Sequence, residues 1–358
     1  MTRIQKLAAA LPGGCGGALI LTPVNRRYFT GFSSSDGVLF VSPKGAVFLT
    51  DSRYIEAARA ASRDPLMQGV EIEEFTGTKN LLKLLRSYGA ARVLLESEIT
   101  VETWQSYKRA LPGVEVIASS ELSSMISGMR CIKEAGEIER MARAAAIADL
   151  AFEHALSFLR EGLTEHALAL ELEFFMRKNG AEDVSFDLIT ISGAKTSMPH
   201  GAPDQSVIRR GDFITMDIGA KFEGYCSDMT RTVALGSVSD EMKRVYETVR
   251  QVQAEGLALL KPGVSCASVH EQVAGRIDLA GYGGCFRHAT GHSVGLEIHE
   301  SPSLSPRETM SLAPGMVVTM EPGIYLEGRF GVRIEDMVVI TEQGFSNFCF
   351  SDKNLIIL

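Results

Sequence analysis

Residues 211–235, GDFITMDIGAKFEGYCSDMTRTVAL, constrain the fold more than any other stretch of the chain. They read as two strand runs joined by a glycine-bearing turn. Yet Asp217 lies inside the first apolar run, between Met216 and Ile218, and Asp228 lies inside the second. If KFEG at 221–224 is a four-residue hairpin loop with Gly224 left-handed, Asp217 falls directly opposite Asp228 on one face. Their Cβ atoms are then roughly 4.5 to 5.5 Å apart. Two ionised carboxylates that close in a core repel and lose hydration, so either one stays protonated or a cation lies between them. The alternative is a pair of strand-end residues in solvent, because a one-residue slip in register turns every side chain to the other face.

Two further runs repeat the device. In MVVTMEPGIY, Glu321 ends an apolar run, and in GVRIEDMVVI, Glu335 interrupts one. The segment HATGHSVGLEIHE adds His288, His292 and His299 in a glycine-bearing stretch that is neither a clean helix nor a clean strand. His154, His166 and His270 fall on predicted helices and are expected to be structural. Four carboxylates and an imidazole suit two hard or borderline divalent ions better than a thiolate site would. Mn²⁺, Co²⁺ and Zn²⁺ are the candidate ions. Two such ions balance four negative charges, lower the pKa of water towards neutrality and polarise a carbonyl.

The rest of the chain is an ordinary globular background for such a centre. Its 358 residues, 45% hydrophobic and 22% charged, suffice for two domains with real cores. The net charge of -8 carries no basic stripe, which argues against nucleic acid as a partner. The six cysteines stand far apart without a CxxC pair, so neither a zinc knuckle nor a disulfide framework is expected, and reduced thiols in a cytoplasm are. The N-terminal run LAAAL is shorter than the apolar region of an export signal, and no segment approaches the about 18 consecutive apolar residues of a membrane span.

The pattern divides the chain near residue 125. Residues 1–124 alternate short apolar runs (GALILT, GVLFVS, GAVFLTD, RVLLES, VEVIAS) with helical segments, which predicts an α/β domain with a partly parallel sheet. SSELSSMISG is a linker or a short helix. Residues 125–358 predict an α+β domain with a mostly antiparallel sheet. Its helices are expected over 133–160, from an N-cap at Thr164 to the Asn179-Gly180 stop, from Ser239 to just before 261–263, and over about 266–280.

With these motifs in hand, the chain resembles the pita-bread metallopeptidases, the group of methionine aminopeptidase, prolidase and aminopeptidase P. The resemblance rests on MDIGAKFEGYCSDMTRT, ATGHSVGLEIHE, MEPGIY and RIEDMVVIT, and extends through MPHGAP to RYFTGFSSSDG and LTDSRY near the N-terminus. It implies that Asp217 binds one metal ion, that Asp228 and Glu335 bridge two, and that His292 and Glu321 complete the second position. It further implies that Glu321 shuttles a proton to the leaving nitrogen. His200 and His299 would contact the substrate carbonyl and the tetrahedral intermediate, and Arg333 would support the carboxylates.

The additional N-terminal domain is similar to that of the branch that cleaves before proline, the Xaa-Pro aminopeptidases and dipeptidases, whose substrates are short proline-containing peptides. Phe186 and Tyr325 are candidates for the proline-pocket wall. Two positions depart from the family pattern. Ser293 follows His292 where glycine is usual. Ser303 stands where prolidases that cut free dipeptides usually carry arginine, which favours longer peptides as substrates. The family also contains metal-free members, either interaction modules or creatinase-type hydrolases, but these normally lack part of the five-ligand set that is intact here. The resemblance further implies a homodimer in which an N-terminal domain helps to close a neighbouring active site.

Overall fold

The computed structural model describes residues 1–358, which form two compact units, Met1–Arg130 and Cys131–Leu358. In the first, six strands form one mixed sheet: β1 (Gly17–Ile20), β2 (Val38–Ser42), β3 (Gly45–Thr50), β4 (Val70–Glu74), β5 (Arg92–Glu96) and β6 (Glu115–Ser119). Their order is β4-β3-β2-β1-β5-β6, with β1/β5, β3/β4 and β5/β6 parallel and the β1-β2-β3 meander antiparallel. The apolar runs in the sequence become strands buried on both faces, such as VLFVS and RVLLE, because helices cover the sheet. Those helices are α1 (Arg3–Ala10), α2 (Pro23–Thr30), α3 (Ile55–Ala61), α4 (Thr78–Ser87), α5 (Val101–Ala110) and α6 (Ser120–Cys131). SSELSSMISG is thus part of a helix rather than an extended linker.

The second unit opens with α7 (Ala135–Phe158), whose start is set by Glu134: its N–H donates to the carboxylate of Glu137 at 2.9 Å. Lys133, expected as the first helical residue, therefore lies outside the helix. After α8 (Glu165–Lys178), which Thr164 caps as expected, come β7 (Asp183–Val184), β8 (Ile189–Ser192), β9 (Phe213–Ile218), β10 (Ala220–Phe222), β11 (Tyr225–Cys226) and β12 (Met229–Ala234). Helices α9 (Asp240–Leu259) and α10 (Cys266–Ile277) follow. The chain closes with β13 (Gly291–Ser293), β14 (Glu300–Leu304), β15 (Val317–Met320), β16 (Gly323–Leu326), β17 (Phe330–Arg333), β18 (Asp336–Ile340) and β19 (Phe345–Asn347). Every ladder between these strands is antiparallel.

The core of this unit packs Val245, Val249, Val269 and Val273 of α9 and α10 against Val318, Met320, Val332 and Val338 of the sheet strands. One face of the sheets is thereby sealed by helices, which leaves the polar residues of β9, β12, β13 and β17 to gather elsewhere. All six cysteines are free thiols, and no helix is long and apolar enough to cross a membrane.

The hairpin register differs from the expected one. Phe222 pairs with Tyr225, so the turn has two residues, Glu223 and Gly224, both at positive φ (45° and 90°). That is the backbone whose twist matches the flanking strands, and a non-glycine residue at its first position replaces the expected four-residue loop. Asp217 consequently faces Thr230, not Asp228. The shift is two residues, an even number, so Asp217 and Asp228 still project from one face as diagonal neighbours.

Candidate metal centre

Strand ends and breaks, more than strand interiors, present the carboxylates. Asp217 lies on β9, and Asp228 immediately precedes β12. Glu335 occupies the break between β17 and β18, where its N–H donates to Thr230 O at 3.0 Å and its Oε2 accepts the Thr230 hydroxyl at 2.6 Å. Glu321 follows β15, its N–H donating to Thr290 O at 2.9 Å. His292 is the middle residue of β13, beside an irregularity in the β13–β14 register. Gly291 permits that strand to approach β15: a Cβ there would lie 2.1 Å from Thr319 O. Thr319 Oγ1 then accepts the His292 N–H at 3.0 Å and donates to Glu321 Oε1 at 3.3 Å.

These connections bring ligand atoms of Asp228, His292 and Glu335 within 4.8 Å of one another. His292 Nε2 lies 3.5 Å from Asp228 Oδ2 and 3.6 Å from Glu321 Oε1. Its Nδ1 is 3.1 Å from Ser293 O, so the proton resides on Nδ1 and the Nε2 lone pair faces the carboxylates. Asp217 Oδ2 accepts from Arg333 Nη2 at 2.8 Å, whereas its Oδ1 is buried without a partner.

Burial pushes the Asp228 carboxyl well above its usual range, and the charges of Glu335, Asp217 and Glu321 push it further. Glu335 is raised in the same way, first by burial and then by Glu321 and Asp217. Burial lifts Glu321 to about 8 against the opposing charge of Arg333. His292 is pushed down to about 4 by burial and by His299, so its imidazole is neutral. Crowded carboxylates that resist ionisation, a neutral imidazole and an orphaned carboxylate oxygen form a donor set that one or more dications would satisfy.

A cavity of about 470 Å³ opens onto this cluster. Asp217, Asp228, His292, Glu321 and Glu335 line it together with Phe186, His200, His299 and Arg333. Tyr325, expected as a wall residue, does not line it. It is 9% exposed, and its hydroxyl accepts from Arg333 Nη1 at 2.9 Å and meets His288 Nε2 at 2.8 Å. The aromatic ring thus steadies two residues that do line the cavity. Burial works against the Arg333 charge, but Tyr325, Asp217, Glu321 and Glu335 hold its pKa well above the usual value. Ser303 also lines the cavity, with its hydroxyl 2.8 Å from Ser305 Oγ. Arg329 is held by Glu241 on an exposed turn.

Two contributors go beyond the expected set: Thr230, which the sequence did not single out, and His288, named only as part of the histidine cluster. His288 lines the cavity, is pushed down to about 3 chiefly by burial, and is hydrogen-bonded on both nitrogens. Thr230 joins Glu335 to Arg333, whose Nε donates to its hydroxyl at 3.1 Å. The signal for Thr230 was its place two residues beyond Asp228, on the same strand face.

Carboxylates that cannot ionise together without a cation, gathered on one side of a cavity sized for a small molecule, mark a metal-dependent hydrolase. The chain belongs to metallopeptidase family M24, which residues 139–342 match, while residues 3–132 match the creatinase/prolidase N-terminal domain. Membership makes it a hydrolase, assigns the pita-bread fold to its second unit and implies divalent metal ions at this centre.

The chain is 34% identical to a Xaa-Pro dipeptidase of Pyrococcus furiosus, over 94% of each sequence. It superposes on a Xaa-Pro dipeptidase from Bacillus anthracis with a TM-score of 0.94 at 41% identity, covering 99% of both chains. An X-Pro aminopeptidase from Thermotoga maritima gives a TM-score of 0.89 at 34% identity, covering 96% of this chain and 98% of that one.

Proposed function

We propose that the protein is a dinuclear metal-dependent exopeptidase that hydrolyses the Xaa-Pro bond at the N-terminus of short peptides, with aminopeptidase-like preference for Xaa-Pro-Yaa over Xaa-Pro. The observation that carries this reading is the donor set: four carboxylates, buried at Asp228 and Glu335 and half-buried at Asp217 and Glu321, face one cavity with a neutral imidazole, and one of their oxygens is buried without a partner. Asp217, Asp228, His292, Glu321 and Glu335 would hold two divalent ions, Mn²⁺ first and Co²⁺ or Zn²⁺ as alternatives. Such ions supply Lewis acidity and an activated water at neutral pH.

The chain's own residues do the rest. Glu321, on the wall of the cavity beside His292, would take a proton from the attacking water and return it to the leaving proline nitrogen. His299, with its ring centroid 4.4 Å from that of His292, and His200 on the exposed side of the cavity donate to the substrate carbonyl as it gains negative charge. Arg333 fixes Asp217 and, through Thr230, Glu335. The scissile amide before proline has no N–H to recognise, so selection falls to apolar contact, which Phe186, Ile189 and Ile298 on the cavity wall would supply.

Solved structures similar to this chain are named for both dipeptidase and aminopeptidase activities. The local chemistry supports the second. A dipeptide brings its free carboxylate next to the scissile bond, and the cationic side chain lining this cavity, Arg333, is already committed to Asp217, Thr230, Tyr325 and Pro199 O. The test is metal analysis of the purified protein together with kcat/KM for matched Xaa-Pro and Xaa-Pro-Yaa substrates. Two equivalents of metal and faster tripeptide cleavage are expected. A metal-free active protein would overturn the metal reading, and a faster dipeptide would overturn the length preference.

A further inference from the structure

Lys133 does not line the cavity, yet its side chain is only 1% exposed. It precedes α7, and its main-chain N–H is tied to Gly315 O at 2.9 Å. An ammonium that deeply buried requires acceptors, and the two it has are informative. Its Nζ donates to Ser293 Oγ at 2.9 Å and to Glu300 Oε2 at 3.3 Å. Ser293 follows His292 directly, and Glu300 follows His299 directly.

The segment between these acceptors wraps around the Glu300 carboxylate. Glu297 N–H donates to Glu300 Oε1 at 3.2 Å, and a Cβ on Gly295 would lie 2.5 Å from both carboxylate oxygens. Ser293 O in turn holds the Nδ1 proton of His292, which aims Nε2 at Asp228 and Glu321. One buried cation therefore pins both ends of the loop that carries the two histidines.

We propose that Lys133 is a positioning residue that sets His292 for metal binding and His299 for substrate contact, acting through Ser293 and Glu300. The proposal rests on the reading of His292 as a metal ligand. A partner that orients a metal-binding histidine changes metal affinity by about 10- to 100-fold, a magnitude distinct from a mere loss of packing.

The test uses the full chain stripped of metal and titrated with Co²⁺, whose visible absorption reports both affinity and coordination. Metal-free melting curves and the kcat and KM of a Xaa-Pro-Yaa peptide accompany the titration. Ser293→Ala removes one hydrogen bond only, and Lys133→Met with Glu300→Gln removes the ammonium and its counter-charge together, so no lone charge is left buried.

Both variants are expected to weaken Co²⁺ binding by about 10- to 100-fold and to alter its absorption. At saturating Co²⁺ the Ser293 variant should recover its kcat, whereas the Lys133/Glu300 variant should keep a lowered kcat because His299 is also released. Wild-type Co²⁺ affinity and absorption in both, even with a lowered melting temperature, would reduce Lys133 to a structural role and overturn the proposal. Should the Lys133/Glu300 variant fail to fold, the Ser293 variant decides alone. His292→Ala separates the two levels: unchanged Co²⁺ affinity there would refute the ligand reading itself and the inference with it.

Discussion

Two buried carboxylates, Glu96 in the N-terminal unit and Asp228 in the C-terminal unit, are accommodated in different ways. In the N-terminal unit, Glu96 at the end of β5 is fully buried, and its oxygens accept from Leu21 N at 2.5 Å, Thr22 N at 3.0 Å, Asn25 Nδ2 at 2.7 Å and the Thr22 hydroxyl. These donors lie at the entry to α2, where the helix dipole also favours negative charge. In the C-terminal unit, Asp228 is 4% exposed and faces three other carboxylates. Burial is the same in both. The first charge is neutralised by donors from the chain, whereas the second requires a cation from outside, and that distinguishes a structural carboxylate from a site.

The largest expected effect sets these two residues against each other. Asp228→Ala, or Glu335→Ala, should abolish turnover while leaving a folded protein, and the metal-free Asp228 variant should melt no lower than wild type because a crowded carboxyl with no hydrogen-bond donor of its own is gone. Glu96→Ala should do the opposite, costing about 3 kcal/mol in urea denaturation through its stranded donors while kcat per folded molecule is unchanged. A fully active Asp228→Ala protein would sink the site assignment.

Within the centre, His299→Ala should retain bound metal and lose turnover by about 100- to 1,000-fold, the cost of one hydrogen bond to a developing oxyanion. His292→Ala should lose metal. Equal metal loss in both, measured by elemental analysis after gel filtration, would show that the histidine roles are misassigned.

A third carboxylate extends the comparison, because a dipeptide substrate introduces its own. Ser303→Arg should supply the missing donor and shift kcat/KM towards Xaa-Pro over Xaa-Pro-Yaa by about 10- to 100-fold. No shift would place the carboxylate out of reach of position 303.

The smallest effect is in pH dependence. Glu321 titrates at about 8 in the folded protein against 4.5 ordinarily, so its stabilising contribution is complete below 4.5 and is lost as pH rises towards 8. His288 and His292, depressed to about 3 and about 4 from 6.5, contribute above 6.5 and lose that contribution as pH falls. Between pH 6.5 and 8 the carboxylates therefore act alone, and the metal-free protein should lose about 1.5 kcal/mol from Glu321 over that interval. With excess Mn²⁺ the trend should reverse, since protons no longer compete for the ligands. Urea melts at the two pH values, with and without metal, check both signs.

Much of the fold was legible because periodicity and caps are local. Thr164 and Ser239 cap α8 and α9 where expected, and the apolar runs of the first unit became its strands. The hairpin was less legible. Glu223 at φ 45° makes a two-residue turn that glycine content alone did not specify, since Gly224 fits either loop. The site survived that error because an even register shift preserves the face.

The sequence by itself determined which residues stand out as candidates: carboxylates set within or beside apolar runs are costly enough in a core to be noticed without any coordinates. Only the tertiary structure decided how they are held. Thr230 bridges Glu335 to Arg333, Tyr325 withdraws behind His288, and Lys133 reaches a loop beginning 160 residues away. Such links depend on a single hydrogen bond between distant strands or loops, and hydrogen bonds of a few ångströms leave no period or spacing in the chain.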